Sequence, residues 1–264
     1  MAPDTPESAA TPTPTAEPPE VRDKIRIRFT KGGALRLLSH HDLMRAFERM
    51  LRRADLPFRN SQGFHPKPRI VFALSLPLGV VGREEVVELE LSQVLPLDEL
   101  QRRLTAQCPP GLELLSFRRL EGRVTAQVKA LTYRIALPPE RVAAVRQRIE
   151  AVLAAKECWV ERTRPPARRV DLRAFVRDLR ITPAFSEPRP LGSGDAAPLP
   201  HGRGSDSPSL EMDLWLTPQG TARPEEVLTL LGVNDLLDAG ALLERARLEL
   251  TDEIASPPSL EGIA

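Results

Sequence analysis

Four stretches of the chain alternate apolar and polar side chains: Lys24–Thr30, Glu85–Leu91, Leu210–Leu216 and Leu243–Leu250. In the first, Ile25, Ile27 and Phe29 are set against Lys24, Arg26 and Arg28. Such two-residue periods describe strands with one face buried. Between them lie segments of helical period. Ser39 opens a helix reaching about Ala54, and Pro96 opens one reaching Gln107 with Leu97, Leu100 and Leu104 on one side. Strands at Arg69–Leu76 and Leu112–Arg118 complete an order β-α-β-β-α-β, the split βαβ or ferredoxin-like arrangement.

The remainder repeats the theme. Leu131–Leu137 reads as a strand, Glu140–Ala155 as a helix, Cys158–Arg162 as a short strand, and Pro224–Leu231 as a helix stopped by Gly232. Val170–Ile181 has helical spacing but extended flanks, so both readings stay open. The expected fold is α+β, with two tandem ferredoxin-like units. The first spans 22–122. The second spans 128–254 and is decorated and interrupted by an insert at about 186–209, rich in Gly, Pro and Ser. Residues 1–21 carry Pro, Thr, Ala and Glu and almost no large apolar side chain, the composition of a disordered tail.

The formal net charge of +1 conceals an asymmetry. From Arg22 to Val80 there are thirteen Lys and Arg against four Asp and Glu. A local excess of this kind suits an anionic partner, nucleic acid among them, or else a solvated face. Cys108 and Cys158 stand far apart with no second cysteine near either, which excludes a zinc ribbon, a redox pair and a cysteine-bound iron–sulfur cluster. No signal peptide and no membrane-spanning run is visible, so a cytoplasmic location is expected.

The segment from Leu37 to Gly79 concentrates the polar chemistry. At 100° per residue, Leu43, Met44, Phe47, Met50, Leu51 and Ala54 form one stripe of the first helix, and Arg45, Arg49, Arg52 and Arg53 the other. Guanidinium groups in register suit bidentate contacts to phosphate oxygens. His40 and His41 occupy the first turn, where the positive helix end favours neutral imidazole. His41 points nearer the arginines and His40 nearer the core. Either ring is a candidate for general base, ligand contact or a structural role. Without a carboxylate at suitable spacing they do not make a metal site.

The following loop, Asn60 to Arg69, is dense in donors, with Gln62, His65, Lys67 and Arg69 on a backbone stiffened by Pro66 and Pro68. Phe64 either plugs the core or stacks on a base. A second place for an anion is the helix entrance at Arg223, ahead of Pro224, unless it is a plain strand-to-helix turn. No nucleophile elbow, nucleotide fingerprint or convincing carboxylate pair is present, and no cofactor is expected in this chain.

Several motifs together, Leu38-Ser-His-His-Asp-Leu-Met-Arg-Ala-Phe-Glu-Arg, Leu56-Pro, Ser61-Gln-Gly-Phe-His-Pro-Lys-Pro-Arg, Leu76-Pro-Leu-Gly and Gly220-Thr-Ala-Arg-Pro-Glu-Glu-Val-Leu, resemble the radical-SAM-linked domain family of unknown function. The resemblance runs from about Asp23 to Thr251. It implies an accessory domain fused to, or encoded beside, a radical S-adenosylmethionine (SAM) enzyme. With two cysteines, this chain would be the stand-alone form, the three-cysteine cluster belonging to a separate polypeptide. The family pattern has one histidine followed by Leu or Val, so His41 departs from it, and no catalytic residue carries over. Three functions follow as expectations: an RNA-binding module presenting tRNA or rRNA to that enzyme, a protein-only adaptor for it, and a metal-independent ribonuclease using His40 or His41.

Overall fold

The computed structural model describes residues 23–61, 64, 66–122, 124–163, 168–183 and 207–253. Two similar runs of elements share one sheet. The first comprises β1 (Asp23–Lys31), α1 (His40–Arg53), β2 (Ile70–Phe72), β3 (Val81–Leu91), α2 (Leu97–Thr105) and β4 (Leu112–Leu120). Its strands lie in the order β4-β1-β3-β2, and all three pairings are antiparallel. The second run begins with β5 (Val128–Ala136) and α3 (Val142–Ala154) and ends with β8 (Val176–Thr182), β9 (Ser209–Trp215), α4 (Pro224–Leu230), α5 (Asp235–Asp238) and β10 (Leu243–Leu250). Its order is β10-β5-β9-β8, again antiparallel. A parallel contact pairing Glu244 with Val81 and Arg245 with Gly82 joins the two into one mixed eight-stranded sheet.

The alternation of β1 sets the first core. Ile25, Ile27 and Phe29 are at most 1% exposed and pack with Val87, Leu89 and Leu91 of β3 beneath Phe47 and Met50 of α1 and Leu100 and Leu104 of α2. Phe47 meets Phe29 and Phe72 edge-on at ring distances of 5.2 and 5.4 Å, so α1 is keyed to the sheet by an aromatic triad. The second core gathers α3, α4 and strands β5, β8, β9 and β10. It also takes in Leu76, Val80 and Val86 from the first run.

Several expected elements change. The strand expected over Arg69–Leu76 keeps only Ile70–Phe72. Ala73 N–H still reaches Val86 O at 3.0 Å, but the carbonyls of Leu74 and Ser75 turn to the Arg245 guanidinium instead of a neighbouring strand. Cys158–Arg162 is not a strand of the main sheet. Its core, β6 (Trp159–Arg162), pairs only with β7 (Arg168–Asp171) as a separate hairpin. The ambiguous Val170–Ile181 resolves into the end of β7, a 3-10 turn at Arg173–Phe175 and β8; it contains no α-helix. Ser209 already belongs to β9, so the insert ends sooner than expected. The rest of that insert, and the N-terminal tail, lie outside the described residues.

Candidate nucleic-acid interface

α1 forms where its sequence signals it. Asp42 N–H donates to Ser39 Oγ at 3.2 Å, capping the first turn, and Leu43, Ala46, Phe47, Met50 and Leu51 are buried. The rest of the surface is left to His41, Arg45, Arg49, Arg52 and Arg53, all exposed. Arg45 lies 3.4 Å from Asp42 with both side chains largely in solvent, a pairing worth little and readily exchanged. Arg52 sits over the Phe58 ring at 5.6 Å, which ties the last turn of α1 to the loop that follows. Arg49 and Arg53 have no carboxylate partner among the described residues.

Beyond α1, Asp55 takes a left-handed conformation (φ 48°) and turns the chain back. The loop is a paired arm. Arg69 N–H donates to Arg59 O at 2.8 Å, Ser61 N–H to Lys67 O at 2.7 Å and Lys67 N–H to Ser61 Oγ at 3.2 Å. Phe64 at its tip is fully exposed, so it does not plug the core. Pro66 and Lys67 are exposed beside it, while Gln62 and His65 lie outside the described residues.

Arg69 does not join α1. Ile70 of β2 is opposite Leu89 and faces the core under α1, so alternation sends Arg69 and Val71 to the other face of the sheet. There Arg69 pairs with Glu90 at 3.2 Å. Arg223 is also engaged differently from expectation. Its side chain is exposed, but its N–H donates to Glu226 Oε2 at 3.0 Å. Glu226 also receives Arg162 at 2.7 Å. Burial alone would raise the Glu226 pKa, yet the bonds from Arg162 and Arg223 N–H hold it below its ordinary value. The entrance to α4 is already filled by the protein's own carboxylate.

His40 packs its ring edge-on to Phe72 at 5.3 Å, and its pKa is lowered by burial and by the neighbouring His41 and Lys31. His41 is exposed, as its helical angle implied. Neither ring makes a hydrogen bond among the described residues, and no group of three or more His, Cys, Asp or Glu among them is placed to hold a metal. No described helix is long and apolar enough to cross a membrane.

The charge asymmetry is smaller at the surface than in the sequence. Lys24 and Arg26 both reach Glu88, at 2.7 and 2.9 Å, and Ala126 N–H donates to the same carboxylate. Arg26 also contacts Asp252 at 2.9 Å, and Arg28 contacts Glu253. Three of the thirteen basic side chains between Arg22 and Val80 are thus engaged by carboxylates here, and Arg69 is a fourth. What remains exposed is the α1 row and, on the arm that Arg52 ties to the last turn of α1 through Phe58, Phe64 and Lys67. One exposed aromatic–cation pair escaped the sequence reading, Trp159 with Arg169 on the β6–β7 hairpin. The adjoining arginine-rich stretch at 162–169 was its signal.

No curated protein matches the chain. A solved structure described as an unknown protein from Galdieria sulphuraria aligns over 87% of this chain and 99% of its own, at 13% identity and a TM-score of 0.24, too loose a superposition to bear on the fold. A protein-family model described as "Uncharacterized protein conserved in bacteria (DUF2344)" matches residues 24–218, which takes in α1, the paired arm and most of both strand sets. The chain belongs to this DUF2344 family.

Proposed function

We propose that this protein is an RNA-binding accessory module of two ferredoxin-like units, which presents a tRNA or rRNA to a separate radical SAM enzyme. The strand orders β4-β1-β3-β2 and β10-β5-β9-β8, each with helical connections joining strands that are not neighbours in the sheet, support the tandem architecture. The observation that carries the RNA reading is the row of Arg45, Arg49, Arg52 and Arg53, exposed along one face of a helix whose other face is locked into the core. Planar guanidinium groups without saturating carboxylates are free to take phosphate oxygens. Phe64 offers a ring at the tip of the neighbouring arm, and Lys67 a further cation. The tie to a radical SAM enzyme rests on the sequence resemblance.

The test is fluorescence anisotropy of labelled tRNA and rRNA hairpins with the full chain across a salt series. Affinity that falls steeply with salt, and falls further when the four α1 arginines are changed to Gln, supports the reading. Affinity that is absent, or indifferent to salt, overturns it. A nuclease-resistant complex with the enzyme in the absence of RNA affinity would move the chain to a protein-only adaptor.

A further inference from the structure

The β6–β7 hairpin is an addition to the second run of strands, placed between α3 and β8 and hydrogen-bonded only to itself as a sheet. One side of it is anchored. Val160 and Val170 pack on the second core, and Arg162 reaches Glu226 and the Thr221 carbonyl. The other side, by the alternation of strand side chains, carries Trp159, Glu161 and Arg169 outward, while Arg168 falls on the side of Arg162 and Val170; the Trp159 Nε1–H donates to Glu157 Oε2 at 2.7 Å. The Trp159 ring is 50% exposed, with the Arg169 guanidinium 5.1 Å from its centroid on one face. Arg168 and Arg169 are both exposed and have no carboxylate partner among the described residues. Over 156–173 the sequence holds six Lys and Arg against three Asp and Glu. A chain with so few aromatic residues has not used this tryptophan in its core.

We propose that the outward face of this hairpin is a second nucleic-acid contact, which takes single-stranded RNA by stacking an unpaired base on Trp159 and meeting its phosphate with Arg169. The identity of the ligand rests on the RNA reading of α1, but the site is separate from α1. Stacking on an indole ring tolerates any base, because each has a π face, and the guanidinium on the ring adds a cation to the stack.

The chain has two tryptophans, so the site reports on itself. In full-length protein carrying Trp215→Phe, emission comes from Trp159 alone. Titration with oligouridylate of about 12 nucleotides should quench it saturably. The Trp159→Phe protein, reporting from Trp215, should show no saturable change. Trp159→Ala should weaken oligouridylate binding about 5- to 150-fold by anisotropy, and Arg169→Gln should weaken it while leaving the tRNA salt dependence set by α1. If Trp215→Phe does not fold, the difference between wild-type and Trp159→Phe emission gives the same signal. Unquenched Trp159 in a protein that binds tRNA overturns the hairpin site and leaves the α1 reading standing. Quenching that survives loss of the four α1 arginines upholds the hairpin as a separate site, and tRNA affinity that survives the same loss counts against α1. Failure to bind either RNA removes both.

Discussion

The guanidinium of Arg245 on β10 donates to the carboxylate of Glu85 on β3, Nε to Oε1 at 2.8 Å, with both side chains almost wholly buried. Arg245 spends its remaining donors on the carbonyls of Leu74 and Ser75. Removing one partner strands the other as an uncompensated buried charge. Glu85→Ala or Arg245→Met should therefore each cost about 3–5 kcal/mol in urea unfolding. Changing both, Glu85→Leu with Arg245→Met, should cost less than either single change, since the desolvation penalty vanishes with the pair.

Gly82 lies between Lys31 on β1 and Arg245 on β10 in the sheet register. The Glu85 side chain folds back over it, so closely that a Cβ at position 82 would stand 2.5 Å from Glu85 Cγ. Because that side chain is held by Arg245, it has little room to yield. Gly82→Ala should destabilise by about 1–3 kcal/mol. In a double-mutant cycle with Glu85→Ala, most of that penalty should disappear.

The two faces of the first sheet make opposite predictions for RNA. Arg49→Gln should lower the magnitude of the slope of log affinity against log salt by about 0.7–0.9, the signature of one lost phosphate contact. Arg69→Gln should leave the slope unchanged, because Arg69 is turned away from α1 and paired with Glu90. Equal effects from both substitutions would place the RNA elsewhere.

Acid should weaken the fold through His40. Burial, His41 and Lys31 hold its pKa below the ordinary 6.5, so the unfolded chain binds the proton more readily than the folded one. The penalty is absent well above pH 6.5, grows as pH falls through that value, and is complete below the folded pKa. Urea midpoints at pH 7.5 and 5.5 should differ less for His40→Gln than for the wild type.

Neither cysteine should behave as a reactive thiol. Burial, with Glu113 nearby, pushes Cys108 up to about 11, and burial with Asp171 raises Cys158. At neutral pH, Cys108 then holds about a hundredfold less thiolate than an ordinary cysteine. Iodoacetamide labelling followed by mass spectrometry should show slow modification of both in native protein and rapid modification in urea.

The elements that rest on local pattern were legible in the sequence. Ser39 caps α1 and most of its apolar stripe is buried, and β1 sends Ile25, Ile27 and Phe29 to the core as its alternation indicates; its polar side is not the solvent face expected, because Lys24 and Arg26 are buried too. What escaped depends on contacts distant in the chain. Arg26 and Arg28 count as surface charge until Asp252 and Glu253, more than two hundred residues away, come to meet them. Arg69 alternates with Lys67 in sequence, but the pleat that begins at Ile70 carries it to the face opposite α1. Cys158–Arg162 has strand character, and nothing within it states that its partner is Arg168–Asp171 rather than the main sheet.

β3 is bounded by β1 on one side, while its other edge is shared, Val87–Leu89 pairing with β2 and Val81–Gly82 with β10. The halves are consequently joined along one strand edge and through one buried ion pair. A fragment stopping near residue 122 would bare an unpaired backbone rim at Val81–Gly82, inviting strand addition by another molecule, and would maroon Glu85 as an anion in an apolar wall.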